Sequence, residues 1–260
     1  MFLKNNFNVI ITGRNKNNVE KITTNLNLNN KNNNNSIVKG YKLDYTDIIN
    51  SKEFINLLEN KKIKPSYLVN NAGTLQLDSI HDITLNKMDL LFKINILGPM
   101  LLSKFCIDII RNTNEDGAIL FNTPPYNIHN KTTYLLPYMQ SKLAQTTLMK
   151  SLANSNVNNN AIVCGFWTNY PLMTDAIIER KICTKDNCMH PSILSKTLEE
   201  ILFNSKNKQV YNSKVVIDED ILNQRNISLD KYKLGNNIKK LDDLFFYHLK
   251  NKYKNKKTFI

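Results

Sequence analysis

A tyrosine and a lysine in the stretch YMQSK, Tyr138 and Lys142, are well suited to moving a proton. On a helix, residues four positions apart lie on the same face, so the Lys142 ammonium stands one turn from the Tyr138 phenol. A free tyrosine, with a pKa of about 10, is a poor base at neutral pH, but a nearby positive charge stabilises its phenolate. A tyrosine in such a pair has the chemistry of a general acid and base. Taken alone, the spacing also fits an ordinary surface pair.

Further polar residues lie close to the ends of predicted elements. The stretch SYLVNNAG predicts a strand that runs into a turn containing Asn70, Ala72 and Gly73. A later strand, GAILFNT, ends at Thr123, and the long helical region that contains KINILG carries Asn95. Without further information, the first group is a tight turn and Asn95 is a helix-kink or cap residue.

Short apolar runs alternate with helical stretches along the whole chain. The predicted strands are FNVIIT, YKLDYTD, SYLVNNAG, GAILFNT, AIVCGFW and KVVIDED, and the longest predicted helices cover residues 85–111 and 138–154. Several strands are apolar on both faces, which predicts a parallel sheet covered by helices on both sides. In such sheets ligands bind beyond the carboxyl ends of the strands.

Three of these stretches, YLVNNAG, KINILG and YMQSK, stand in the order and spacing of one family. The chain resembles the short-chain dehydrogenases/reductases. Two further stretches, FNTPPYNIH and KVVIDEDIL, together with Trp167, resemble one branch of that family. The resemblance implies an α/β fold of the Rossmann type, with a doubly wound parallel sheet, over residues 1–250. Residues 251–260 are a basic tail.

The resemblance also implies a reaction, the interconversion of a carbonyl and an alcohol on a small, apolar or lipid-like substrate. Tyr138 would exchange the proton, and Lys142 would also hold the nicotinamide ribose. Asn95 would hold a water in the proton relay. Thr123 occupies the place of a serine that hydrogen-bonds the substrate oxygen, and it keeps the hydroxyl while adding a methyl group.

Several residues would contact the cofactor if the resemblance holds. Asn70, Ala72 and Gly73 would form a backbone wall against the adenosine. After Trp167, the segment TNYPLMTDAIIERKICTKDNCMHP has the position of a substrate loop, and Thr174 within it lies near a cofactor-contacting threonine.

The stretch VIITGRN determines how the N-terminal part is aligned. If it were the family's first strand, glycines would be needed where Asn17 and Val19 stand, so it is assigned as the second strand. Asp44, in LDYTD, then ends the third strand and is expected to contact the cofactor. Arg14 falls where the family reads the adenosine ribose. Since no acidic residue follows this strand, NADP(H) is favoured over NAD(H).

This alignment leaves the fold without the family's first strand and its glycine-rich turn. MFLKNN would be the tail of the preceding helix. Because the backbone N–H groups of that turn hold the pyrophosphate, we expect these 260 residues to bind dinucleotides weakly. Two explanations remain open: an incomplete version of a longer protein, which the remaining catalytic residues favour, or a degenerate relative that binds a lipid or a protein.

Composition narrows the class of protein. The chain is 42% hydrophobic and 22% charged, as in ordinary globular proteins, and its apolar runs are too interrupted to predict a membrane span. A net charge of +13 permits nucleic-acid binding, but the lysines are scattered and not interleaved with aromatic residues, so we expect none. The Asn-rich residues 25–35 predict a disordered loop insertion. Apolar residues on more than one face of the two long helices predict a homodimer or homotetramer.

The cysteines indicate a reducing compartment and four free thiols. Cys183, Cys188 and His190 lie close together in CTKDNCMH, but their spacing matches no standard zinc pattern, so no metal site is predicted. The compartment is not determined. The family branch suggests a peroxisome or mitochondrion, the cytoplasm is the default, and the C-terminal KTFI is not a clear peroxisomal signal.

Overall fold

The computed structural model describes residues 1–30, 35–112, 116–126, 135–155 and 161–243, except for the side chain of Arg111. The chain divides into two compact units, Met1–Lys64 and Pro65–Ile260. The strands are β1 (Val9–Gly13), β2 (Val38–Lys42), β3 (Tyr67–Asn70), β4 (Ala118–Asn122), β5 (Ile162–Trp167) and β6 (Val215–Ile217). The α-helices are α1 (Lys16–Asn30), α2 (Ile48–Asn60), α3 (Leu85–Phe92), α4 (Gly98–Asn112), α5 (Leu136–Ser155), α6 (Asp175–Glu179), α7 (Ser192–Leu202) and α8 (Asp218–Gln224).

The first unit is built on two parallel strands, β1 and β2, with Gly13 in register with Lys42. Helix α1 packs closely on this pair because β2 has a glycine at its centre. A Cβ atom on Gly40 would lie 2.5 Å from a methyl group of Val19 and 2.4 Å from the hydroxyl of Thr23. The preceding MFLKNN forms a single 3₁₀ turn, Phe2–Asn5.

In this unit the predicted boundaries of one helix, α1, and one strand, β2, were wrong. Helix α1 continues to Asn30, although a loop was predicted from residue 25 onwards; residues 31–34 of that stretch lie outside the described residues. The extension is held by Asn27, whose amide donates to the Val38 carbonyl and accepts from the Val38 N–H. Strand β2 covers residues 38–42 rather than 41–47, because these residues pair with β1 and Asp47 already caps helix α2.

The second unit contains a four-stranded parallel sheet in the order β3-β4-β5-β6. Helices α4 and α5 cover one face through a buried cluster that includes Ile110, Phe121, Met149 and Val163. Residues 118–121 of β4 are all buried, on both faces of the sheet. The predicted parallel α/β fold is therefore confirmed. Among the described residues, no strand joins this sheet to the β1–β2 pair.

The last strand is shorter than the sequence suggested. KVVIDED predicted a strand through residue 220, but β6 ends at Ile217 and α8 begins at Asp218. Three acidic side chains in the first turn of α8, those of Asp218, Glu219 and Asp220, favour a helix start because they complement the helix dipole.

The helical run Leu85–Ile110 is the one described segment long and apolar enough, by length and composition alone, to cross a membrane. In the fold it comprises α3, a π-helical turn (Lys93–Leu97) and the greater part of α4. It packs against β3, β4 and α5, and it buries polar Asn95 and Ser103 together with apolar neighbours. These contacts give it the position of a core helix of the second unit.

Candidate active site

Helix α5 carries the predicted proton donor on its first turn. Tyr138 is half-buried and packs against an apolar cluster that includes Leu77, Leu135 and Met139. Within the described part of the chain its hydroxyl makes no hydrogen bond, so it is free to meet a ligand. Burial raises the pKa of Tyr138 above its ordinary value of 10.0, which keeps the phenol protonated at neutral pH.

Lys142, one turn along the same helix, is only 3% exposed. Its Nζ donates to the backbone carbonyl of Asn122 and, at 2.9 Å, to Oε1 of Gln145. It also lies 5.7 Å from the centre of the Trp167 ring, within the range of a cation–π contact. Burial lowers the pKa of Lys142 from 10.5 to about 7, so the side chain is poised between its charged and neutral forms near neutral pH.

Asn95 lies on the π-helical turn between α3 and α4 and is completely buried. Its Oδ1 accepts from the Thr74 N–H at 2.8 Å, and its Nδ2 donates to the Thr74 carbonyl at 3.0 Å and to Ser141 Oγ at 2.9 Å. A π-helical turn widens the helix and is frequent at functional sites. Here it directs Asn95 into the gap between the loop after β3 and helix α5.

Gly73 joins these residues into one constellation. A Cβ atom built on it would lie 3.3 Å from Asn95 Oδ1 and 3.9 Å from Lys142 Nζ. The structure therefore brings Gly73, Asn95 and Lys142 together, as the sequence motifs imply. Gly73 and the neighbouring Ala72 are exposed, which leaves their backbone open to a ligand.

Asn70 and Thr123 point into the protein instead. Asn70 is buried at the end of β3, where its Nδ2 donates to Ser103 Oγ at 3.0 Å. The Thr123 hydroxyl is also buried, and it lies 2.7 Å from both the Lys142 carbonyl and the Thr146 hydroxyl. It makes no hydrogen bond to Tyr138 in the described structure. In this conformation Thr123 holds α5 against β4, and its predicted contact with the substrate oxygen remains a prediction.

In the first unit, Arg14 and Asp44 follow the carboxyl ends of the paired strands β1 and β2. Arg14 is exposed. The Asp44 carboxylate accepts from the N–H and the hydroxyl of Thr46. These bonds, and to a smaller extent the charges of Arg14 and Lys42, lower the pKa of Asp44 and keep it ionised.

Thr174 stands just before helix α6 and is exposed. Its carbonyl accepts from the N–H groups of Ile177 and Ile178, but its hydroxyl does not cap the helix. The hydroxyl is therefore available to a ligand.

Two residues of the constellation escaped the sequence analysis. Ser141 links Asn95 to helix α5, and Gln145 contacts Lys142 directly. Each follows Tyr138 or Lys142 by three positions, which places it on the same helix face. That spacing was the available signal, although it does not distinguish a site residue from any other buried polar residue.

The cysteines depart from the prediction of four free thiols. Cys183 and Cys188 form a disulfide across a 3₁₀ turn at Lys185–Asn187 that folds the chain back, while Cys106 and Cys164 are free and buried. The His190 ring pairs with Ser192 Oγ. In the described residues, no group of three or more His, Cys, Asp or Glu side chains could hold a metal ion.

The parallel sheet with helices packed on it has the Rossmann-type architecture of dehydrogenases. The family model described as short chain dehydrogenase matches residues 1–177. The chain belongs to this family of NAD(P)-dependent oxidoreductases.

Known proteins agree with this assignment. Hydroxysteroid dehydrogenase-like protein 2 of Xenopus laevis is 26% identical to this chain over 185 residues, and the match covers 68% of this chain and 42% of that protein. It represents the branch of the family that the stretches FNTPPYNIH and KVVIDEDIL resemble. The chain thus spans less than half the length of this curated relative.

Solved structures share the fold at low identity. A short chain dehydrogenase from Mycobacterium thermoresistibile has a TM-score of 0.68 at 19% identity, covering 78% of this chain and 73% of its own. A 4-hydroxyisoleucine dehydrogenase complexed with NADH and succinate has a TM-score of 0.65 at 16% identity, with coverage of 83% and 89%. A short chain dehydrogenase from Burkholderia cenocepacia in complex with NADP has a TM-score of 0.63 at 15% identity, with coverage of 81% and 85%.

Proposed function

We propose that this protein is an NADP(H)-dependent oxidoreductase that interconverts a carbonyl and an alcohol on a small, apolar or lipid-like substrate. The observation that carries the proposal is the arrangement on α5. The phenol of Tyr138, which makes no hydrogen bond within the described residues, precedes by one turn a buried lysine whose Nζ lies next to Gly73. Family membership and structural neighbours with NADH or NADP bound support a nicotinamide cofactor.

The chemistry of the chain's own residues follows from their environments. When bound, the nicotinamide supplies or accepts the hydride. Tyr138, protonated at neutral pH, donates its proton to the oxygen of the reduced carbonyl. In the reverse direction it must release a proton, and the charge of Lys142 then stabilises the phenolate. Asn95 fixes the loop after β3 against α5 and completes the proposed proton relay.

Each unit, taken by itself, contains residues suited to contacting part of a nicotinamide cofactor. In the second unit, Lys142 would bind the nicotinamide ribose. The exposed backbone of Ala72 and Gly73, which follows Asn70, would border the adenosine. The Thr174 hydroxyl would add a further contact to the cofactor. In the first unit, Arg14 can stack on adenine and pair with a 2′-phosphate, and Asp44 offers acceptor oxygens. This pairing of Arg14 with a 2′-phosphate is the basis of the proposed preference for NADP(H).

The apolar character of the substrate is inferred from what surrounds Tyr138. Partly buried Leu75, Trp167, Met173 and Leu234 pack against the same cluster as Tyr138. A carbonyl compound with an apolar body would gain from contact with these side chains.

The proposal is tested by following NADPH oxidation with a panel of ketones and aldehydes of increasing chain length. We expect carbonyl-dependent oxidation that favours the more apolar compounds. Lys142→Ala should impair both turnover and NADPH binding, whereas a Lys104→Ala control on the exposed face of α4 should not. Turnover unaffected by Lys142→Ala would contradict the assignment.

A second candidate is a catalytically inactive family member that binds a lipid or a protein. The observation favouring it is that the seven glycines of this sequence include no G-x-x-x-G-x-G turn. Calorimetry with NADPH and with a lipid, read together with the carbonyl panel, distinguishes the two. The inactive member would bind the lipid and show neither NADPH binding nor turnover, whereas the oxidoreductase would bind NADPH, weakly in this 260-residue chain, and oxidise it in the presence of a carbonyl compound.

A further inference from the structure

Gln145 lies one turn after Lys142 on α5, and none of its side chain reaches solvent. Its Oε1 accepts a hydrogen bond from Lys142 Nζ at 2.9 Å. The other acceptor for this ammonium is the backbone carbonyl of Asn122. Gln145 therefore supplies the one side-chain acceptor that Lys142 has among the described residues.

Among the described residues Lys142 forms no ion pair. Its hydrogen-bond acceptors are the Asn122 carbonyl and the Gln145 amide oxygen, and burial lowers its pKa. The groups that face it are uncharged. They are the Asn122 carbonyl at the end of β4, the Trp167 ring of β5 and the backbone at Gly73. Tyr138, on the same helix, is held in its neutral form by burial. A single neutral acceptor therefore has a large influence on Lys142.

The Gln145 amide has one orientation that suits a charged lysine. An ammonium only donates, so Oε1 must face Lys142. Nε2 is then buried without a hydrogen-bond partner among the described residues. A buried N–H without an acceptor lowers stability, so an apolar side chain of similar length would suit packing better. The presence of glutamine is explained by its effect on Lys142.

We propose that Gln145 is a positioning residue that keeps the Lys142 ammonium charged and directed towards Gly73. The inference rests on the proposed function of Lys142 and extends it to a residue that contacts neither substrate nor cofactor. Through Gln145 the helix would set how much of Lys142 is charged when Tyr138 has to release its proton.

The test is an NMR titration of Lys142 in the 260-residue chain, using ¹³Cε-labelled lysine with the resonance assigned by its loss in Lys142→Met. Gln145→Met removes the acceptor at similar length, and we expect the pKa of Lys142 to fall by roughly 1 to 2 pKa units. Gln145→Glu supplies a full negative charge and should raise it. Gln140→Met, on the exposed side of the same helix, is the matched control and should leave it unchanged.

Melting temperature separates positioning from a purely structural role. At pH 9, where Lys142 is mainly neutral, Gln145→Met should melt at or above the parent's temperature. The two informative variants are Gln145→Met and Gln145→Glu. The proposal would be overturned if the pKa of Lys142 were unchanged in both, if it shifted in the same direction in both, or if both variants were unfolded. Absence of turnover in the parent would count against the proposed function alone, because the titration does not depend on activity.

Discussion

Lys142 combines deep burial with neutral hydrogen-bond partners, and this makes its protonation part of the protein's stability. In the unfolded chain the lysine has its ordinary pKa of 10.5, whereas burial lowers the pKa to about 7 in the folded protein. Between these values the unfolded chain binds more protons, so the free energy of unfolding rises with pH. The penalty of burying the charge is fully present below pH 7 and is relieved as the pH increases.

Lys142→Met should therefore remove a pH dependence that the parent shows between pH 7 and 9. We expect the parent's free energy of unfolding to rise by up to about 1.4 kcal/mol per pH unit in this window. Above it, Cys106 and Cys164, whose pKa values burial raises to about 12, act in the opposite direction. Urea unfolding over a pH series measures the slope, with Lys104→Met as an exposed control. An equal slope in the parent and Lys142→Met would contradict the structure.

Arg14 allows the proposed preference for NADP(H) over NAD(H) to be tested with a single substitution. A guanidinium pairs with a 2′-phosphate through charge-assisted hydrogen bonds, each contributing about 1.5 to 3 kcal/mol. Arg14→Ala should thus weaken NADPH binding by roughly 10- to 100-fold and leave NADH binding nearly unchanged. Calorimetry with both cofactors measures this, and Lys52→Ala on α2 is the control. Equal affinity of the parent for the two cofactors would refute the preference.

The π-helical turn at Lys93–Leu97 is the element that assembles the site, since it carries Asn95 to the loop after β3 and to α5. Asn95→Ala would leave the N–H and carbonyl of partly buried Thr74 without their partner. We expect the free energy of unfolding to fall by about 2 to 4 kcal/mol. Chemical denaturation measures this loss, and Asn86→Ala, an exposed change on α3, should have little effect. A loss as small as that of the control would show that the turn is held by other contacts.

The elements show where sequence reasoning succeeds and where it stops. Strands β3 to β5 were predicted because continuous apolar runs identify strands buried on both faces. The lower limit of β2 was missed because residues 38–42 are recognised only by their pairing with β1. The extension of α1 was missed because Asn27 stabilises it through a contact with Val38, which lies far along the chain. Such tertiary contacts leave no local pattern in the sequence.

The same limit applies to the site. The juxtaposition of Gly73, Asn95 and Lys142 could be predicted because each belongs to a motif of fixed spacing. The inward turn of the Thr123 hydroxyl could not, because it depends on where Thr146 lies on the packed helix.

At the scale of the whole molecule, the long helical run leaves apolar side chains exposed. Phe92 is 55% exposed, Leu97 51% and Met100 44%, all near the junction of α3 and α4. On the other long helix, α5, Met149 is buried in the core and its neighbour Leu148 is partly buried, so these two apolar residues give no support for a subunit contact. We expect a homodimer or homotetramer by light scattering, weakened by Leu97→Lys and not by Lys104→Ala. A monodisperse monomer at micromolar concentration would contradict this expectation.

The most direct test of whether α5 carries the proton donor is the turnover rate of Tyr138→Phe compared with that of the parent. Both are measured at saturating NADPH with the best carbonyl substrate of the panel. The variant keeps the ring and its packing and loses only the hydroxyl. We predict that the rate falls by roughly 10²- to 10⁴-fold while NADPH affinity is retained, and that a Tyr126→Phe control behaves as the parent. A rate for Tyr138→Phe within about tenfold of the parent would contradict the assignment of Tyr138 as the general acid.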